Sequence, residues 1–164
     1  MKEVQLWGFF ILKNIPGFVG VSLRRLILPS TKGSGLCIWD NVQLNKPSLI
    51  SFGNSVSINR GTIIHGGGGV VIGSNVLIAP NVIIYSQNHE FSDLKVPINS
   101  QGYSYSKVII ADDVWIAAGV IILPGVFIGE GSVIGAGSVV TNNIPKNSLA
   151  VGVPAKVVKS NVRI

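Results

Sequence analysis

From Ile110 onward, aliphatic residues fall on every sixth position: Ile110, Ile116, Ile122, Ile128, Ile134 and Val140. Cut at those positions, the chain reads IADDVW, IAAGVI, ILPGVF, IGEGSV, IGAGSV and VTNNIP. The next position is small in most units (Ala111, Ala117, Gly129, Gly135), and the fourth after the aliphatic holds Val114, Val120, Val126, Ser132, Ser138 or Ile144. The same register runs upstream through Phe52, Ile58 and Ile64. After a slip of two residues it resumes at Ile72, Ile78 and Ile84, and Ile38 and Leu44 open the series. A helix would repeat at 3.6 and a plain half-buried strand at two. A period of six describes a short strand, a sharp turn and another short strand, with one aliphatic pointing inward per unit. Gly and Asn at the corners adopt backbone conformations that β-branched residues refuse. Three units close a triangular coil of about 18 residues, and successive coils stack at about 4.8 Å. About fourteen such units predict an all-β parallel solenoid of between four and five coils.

Residues 86–107, SQNHEFSDLKVPINSQGYSYSK, break the period completely. An excursion of that length inside a compact repeat is rare unless it is functional. Before the repeats, Leu6 to Leu12 and Phe18 to Leu28 are strongly apolar, but Lys13-Asn14 and Pro16-Gly17 divide them. Neither run reaches the ~18 apolar residues that span a bilayer, and no small-residue cleavage site follows. Two readings stay open for this segment: short helices packed on the body or on a neighbouring subunit, or an interfacial segment whose aromatic face meets lipid beside Lys13, Arg24 and Arg25. The chain thus divides into an N-terminal hydrophobic, helical segment (1–35) and a solenoid domain (36–164) that carries the loop.

Composition narrows the classes. The chain has 164 residues, 47% of them hydrophobic and only 12% charged, which excludes disorder and leaves room for one well-buried core. A single cysteine, Cys37, excludes a disulfide scaffold within the chain and has no companion base nearby to make it a nucleophile. The net charge of +6 favours anionic partners. The cations are dispersed and not interleaved with stacking aromatics, so nucleic acid is not an expected partner.

The motif string is specific. Ile72-Gly-Ser-Asn-Val-Leu-Ile-Ala-Pro-Asn-Val82, an Asn88-His89 pair, the excursion, Asp113-Val-Trp-Ile116 and Pro124-Gly-Val126 resemble the hexapeptide-repeat acyltransferases, in the galactoside and maltose O-acetyltransferase branch. The ending Ala150-Val-Gly-Val-Pro-Ala-Lys-Val-Val158 is typical of the same group, and the likeness covers about residue 50 to the end. The first 35 residues look more like the short hydrophobic lead of capsule and O-antigen acetyltransferases. The resemblance implies a left-handed parallel β-helix, a homotrimer, and acetyl-CoA as co-substrate. The activity it implies is acetyl transfer to a sugar hydroxyl in surface-polysaccharide or glycoconjugate assembly. It also implies a cytoplasmic enzyme, peripheral to the inner membrane if the N-terminal segment meets lipid, with no metal in catalysis.

Deprotonating a hydroxyl far above its own pKa suits an imidazole, which titrates near neutrality. By resemblance His89 is that general base. On the acceptor side the same resemblance places Asn59, Asn88 and Trp115, and within the loop Tyr103 and Tyr105 are candidates to stack on or hydrogen-bond a sugar. Small residues Ala117, Ala118 and Ala136 would let the pantetheine arm lie along their backbone amides, with a donor near Ala117 or Ala118 for the oxyanion. Lys156 and Lys159 would meet the phosphates of the cofactor, while Asn142 replaces a lysine that some relatives use there. Glu90 or Asp93 could orient the His89 ring. His65, in His65-Gly66-Gly67-Gly68-Gly69, reads as a turn or acceptor-side residue.

Other classes fit less well. Serine or xenobiotic-antibiotic acetylation on the same scaffold is the alternative enzyme. A β-helical carbonic anhydrase needs three histidine ligands and the chain holds two. An ice-binding or scaffold solenoid needs a regular exposed ladder, which the sequence does not contain.

Overall fold

The computed structural model describes residues 10–26 and 33–162. The repeats wind into a three-sided parallel β-helix of about six turns. Its first face stacks β1 (Cys37–Ile38), β4 (Ser57–Ile58), β7 (Leu77–Ile78), β12 (Trp115–Ile116), β15 (Val133–Ile134) and β17 (Ser148–Val151). The last strand, β18 (Lys156–Ser160), folds back antiparallel on β17. The second face holds β2 (Gln43–Asn45), β5 (Ile63–His65), β8 (Ile83–Tyr85), β13 (Ile121–Ile122) and β16 (Val139–Val140). The third holds β3 (Ile50–Phe52), β6 (Val70–Ile72), β11 (Val108–Ile110) and β14 (Phe127–Ile128). The count of four to five coils falls short because Ser148–Val151 opens a further rung after a corner with no hexapeptide signature.

Register explains the period. Ile58, Ile78, Ile116 and Ile134 are direct partners on successive rungs, and each is fully buried. A stack of identical β-branched side chains fills the prism, and each contributes roughly 1.5–3 kcal/mol by leaving water. Where serine replaces valine in the core, its hydroxyl finds a partner: Ser132 donates to the Pro145 carbonyl and Ser138 to that of Gly135, both at 2.7 Å. Corner residues such as Asn75, Asn81 and Asp113 take the left-handed conformation, with φ of 59°, 59° and 58°.

The two-residue slip is a lengthened corner between the second and third faces. Stacked residues there lie 20 apart, as in Asn45 and His65, whereas Ile121 pairs with Val139 in the shorter coils beyond. Gly66 to Gly69 form this corner, and side chains do not fit in it. A Cβ on Gly67 would lie 1.9 Å from Gln87 Oε1, and one on Gly68 would lie 2.1 Å from the Ser86 carbonyl oxygen. One rung higher, the same corner extrudes the whole 86–107 excursion. The excursion folds on itself as an antiparallel hairpin of β9 (Gln87–His89) and β10 (Tyr103–Tyr105).

A helical turn over 10–14 and α1 (Gly17–Leu26) close the N-terminal end. Residues 6–9 of the first apolar run lie outside the described residues. Arg24, 4% exposed, pins the helical turn and α1 to the solenoid: its Nε donates to the Ile38 carbonyl at 2.8 Å and its Nη1 to those of Leu12 and Ile15 at 2.8 and 2.7 Å. Among the described residues no helix is long and apolar enough to cross a membrane.

Candidate active site

The hairpin overhangs the edge of the second face and creates a cleft of about 440 Å³. Its lining brings together His89, Asn88, Gln87 and Tyr103 from the hairpin, His65 and Tyr85 from the second face, and Leu123 and Pro124 from the next coil. Both histidines of the chain therefore share one cleft. Tyr103 sits opposite His89 in the hairpin register, and the two rings lie 4.4 Å apart at 37°. His89 is exposed, so its imidazole is open to a hydroxyl entering the cleft.

His65 belongs to a ladder of Asn45, His65 and Tyr85 on consecutive rungs. Its ring stacks on that of Tyr85, with 4.7 Å between centroids and 18° between planes. Asn45 Nδ2 donates to His65 Nδ1 at 3.1 Å. Burial holds the His65 imidazole below its ordinary pKa of 6.5.

Of the residues expected at the site, His89, Asn88 and Tyr103 meet in the cleft. Tyr105 stands two pairs along the hairpin, its ring 6.4 Å from that of Tyr103, over an adjoining groove. Neither acid singled out near His89 has a hydrogen bond to its ring; Asp93 turns to the Lys95 and Gln101 segment of the loop instead. Tyr85, Gln87, Leu123 and Pro124 were not singled out by sequence. The 20-residue spacing that aligns His65 with Tyr85 was the available signal.

The remaining expected residues lie elsewhere on the chain. Asn59 follows β4 at the corner between the first and second faces, and its Nδ2 donates to the Ile78 carbonyl at 2.9 Å. Trp115 projects from the first face, 51% exposed, between Leu77 and Val133. Ala117 and Ala118 turn the same corner as Asn59 one coil beyond the next, and Ala136 lies directly above Ala118. Lys156 and Lys159 are exposed on β18. Within one chain, the corner of Asn59 and the alanines and the hairpin bearing His89 thus occupy opposite edges of the second face, with Trp115, Lys156 and Lys159 on the first-face sheet.

The corner bearing the alanines leaves two donors open. The Ala117 amide is spent on the Ile134 carbonyl at 2.9 Å, whereas the Ala118 and Ala136 amides have no acceptor among the described residues. At the equivalent position of the corner between the third and first faces, side chains of the next coil satisfy three amides, while those of Asp112 and Glu130 have no acceptor among the described residues. Ser34 donates to Asn54 Oδ1 at 2.8 Å, Asn54 to Ser74 Oγ at 3.1 Å, and Ser74 to Asp112 Oδ1 at 2.7 Å. Ala118 and Ala136 therefore present open amides beside side chains too small to cover them, which suits an extended amide-bearing ligand. No group of three or more metal-ligating side chains occurs among the described residues.

A three-sided β-helix with a histidine-bearing excursion is the architecture of an acyltransferase class. The profile described as bacterial transferase hexapeptide (six repeats) matches residues 107–142. The structure of a maltose O-acetyltransferase from Clostridium difficile 630 is 39% identical, with a TM-score of 0.82 over 91% of this chain and 80% of that one. A galactoside acetyltransferase in complex with coenzyme A is 34% identical, with a TM-score of 0.82 over 95% and 80% of the two chains. The galactoside O-acetyltransferase of Escherichia coli K12 is 40% identical over 129 residues, 74% of this chain. The chain spans 62% of that enzyme's length. The chain belongs to the hexapeptide-repeat acyltransferases, and its fold is their left-handed parallel β-helix.

Proposed function

We propose that the protein is an acetyl-CoA-dependent O-acetyltransferase whose acceptor is a sugar hydroxyl, serving surface-polysaccharide or glycoconjugate assembly. The observation that carries this reading is an exposed imidazole, His89, braced by Tyr103 at the rim of an open cleft lined by Asn88, Gln87 and Tyr85. Such a mixture of aromatic faces and amide groups suits a polyol. The galactoside and maltose enzymes named above support the same acceptor class.

The ring of His89 accepts the proton of the acceptor hydroxyl as its oxygen attacks the acetyl carbon, forming the new C–O bond. The C–S bond then breaks, and His89 returns its proton to the departing thiolate. The products are an acetyl ester and a free thiol, and the enzyme forms no covalent link. The open amides of Ala118 and Ala136 would hold the pantetheine arm, Lys156 and Lys159 the phosphates, and the Ala118 amide is the donor available to a developing oxyanion. The thioester supplies the acetyl group.

In this reading the protein is a homotrimer. One copy brings the corner bearing Ala118 and Ala136 to the His89 cleft of its neighbour, because a single chain keeps the two on opposite edges of the second face. Asn59 and Trp115 of that neighbouring edge then flank the acceptor.

The test is His89→Ala with a free-thiol assay for released CoA on a panel of glycosides, serine and aminoglycosides. Loss of turnover on glycosides with an unchanged oligomer mass supports the reading. Full turnover in the variant, or turnover on serine or the antibiotics alone, refutes it.

A further inference from the structure

We propose that the acceptor carries a negative charge next to the sugar that is acetylated, and that a groove adjoining the His89 cleft binds it. This rests on reading that cleft as the acceptor site. The groove, about 540 Å³, lies on the other side of the hairpin base. Its lining includes Tyr105, Lys107, Ser48, Ser51 and the bare backbone of Gly67 to Gly69.

Three observations assign it an anion. First, the ammonium of Lys46 stands 5.6 Å over the ring of Tyr105, which itself lines the groove. Second, Lys107 lines the groove, and its stem lies along Gly69, where an added Cβ would come within 3.4 Å of its Cε. A side chain at 69 would meet that stem, and the φ of +90° disfavours one in any case. Third, no carboxylate lines the groove, and neither ammonium has an acid within ion-pair distance among the described residues. Two cations converge on a concave, partly apolar surface without an internal counter-charge. An anion entering there gains two ion contacts and displaces none.

The groove is continuous with the acceptor cleft. Gly67 sits at the divide: its missing side chain would meet Gln87 on one side and Tyr105 Cε1 at 3.3 Å on the other. The rings of Tyr103 and Tyr105 mark the two compartments at 6.4 Å, a span bridged by two linked sugars or by a sugar and its phosphate. The ligand is therefore a saccharide whose neighbouring group is a phosphate or a carboxylate.

The experiment compares KM for methyl galactoside, galactose 1-phosphate and a galactosyl-glucuronic acid disaccharide on the intact protein. Binding of the same three is measured by calorimetry, which reads the groove even without turnover. Two exposed ion contacts predict that at least one anionic acceptor binds about five- to tenfold more tightly than the neutral one. The advantage should shrink as salt rises, and the better anion identifies the phosphate or the carboxylate. Lys46→Asn, chosen because asparagine tolerates the left-handed backbone at 46 (φ 54°), combined with Lys107→Gln should bring the ratio to about one. Lys107→Gln alone, at an ordinary backbone position, should halve the advantage on a logarithmic scale.

Equal affinity for all three ligands overturns the anion site, as does an advantage that survives in the double variant. If methyl galactoside is acetylated as well as the anionic acceptors are, only the groove assignment falls. If none is acetylated while His89→Ala changes nothing, the acetyltransferase reading falls instead.

Discussion

Tyr103 faces His89 across the hairpin, and their rings lie 4.4 Å apart. The only regular structure fixing the histidine is this two-stranded pairing, so the tyrosine ring sets the direction of the imidazole. An aromatic pair of this kind is worth about 0.5–1.5 kcal/mol beyond area burial, and tenfold in rate corresponds to ~1.4 kcal/mol. Tyr103→Ala should therefore lower kcat by up to about tenfold, while Tyr103→Phe keeps most of it. Steady-state kinetics with the thiol assay checks this, and an Ala variant with unaltered kcat would show that the ring does not position the base.

Much of this arrangement could be read from the chain before its structure. The period of six names the buried aliphatic of every unit, but one inward side chain per unit is too few: the residue four after it, as at Val114, Val120 and Ser132, is buried beside it. The excursion at 86–107 could be read as the place of chemistry because it abandons that period. Of the cleft's far wall only His65 could be read, as a turn or acceptor-side residue. His65 and Tyr85 look unrelated until the two-residue slip is converted into a lengthened corner, which sets the stacking interval at 20 and lays one ring on the other. The open amides of Ala118 and Ala136 were hidden for another reason: no residue type marks a missing acceptor, and only the hydrogen-bond pattern of the folded chain exposes it.

His65 gives the stability a pH dependence. Burial lowers its pKa below 6.5, so at pH values under 6.5 the unfolded chain takes up a proton that the folded chain refuses. Its contribution is fully present above 6.5 and declines as the pH falls towards the folded value. The urea midpoint should drop as the pH falls below about 6.5, and His65→Gln should flatten that decline. Identical slopes for the two proteins would exclude His65 as the source.

Arg24 ties the N-terminal helices to the first rung through three main-chain carbonyls. Gly20 leaves room for it, since a Cβ there would lie 2.7 Å from Nη1. Arg24→Met strands the carbonyls of Ile15 and Ile38 and leaves that of Leu12 only its 3.4 Å bond from the Ile15 amide, and should cost about 3–5 kcal/mol, or roughly 10 °C in thermal midpoint. Arg24→Lys should recover part of the loss. A Met variant that melts with the parent protein would show that the helices are not held this way.

Ala118 tests the cofactor edge without disturbing the core. Its side chain is exposed at a corner, so Ala118→Leu fills no packed space and should change stability by no more than ~0.5 kcal/mol. The larger side chain would cover the open amides of residues 118 and 136, which stack one above the other. KM for acetyl-CoA should rise about tenfold or more, because each lost hydrogen bond in a desolvated contact is worth about 1 kcal/mol and the arm is also sterically displaced. KM for the acceptor should change less, because the Tyr85 and His89 cleft is built from other residues. Glu130→Leu supplies the control: Glu130 is an equally exposed corner residue on the edge between the third and first faces, so the substitution should leave both constants where they were. An Ala118→Leu enzyme that binds acetyl-CoA normally would place the pantetheine arm elsewhere on the prism.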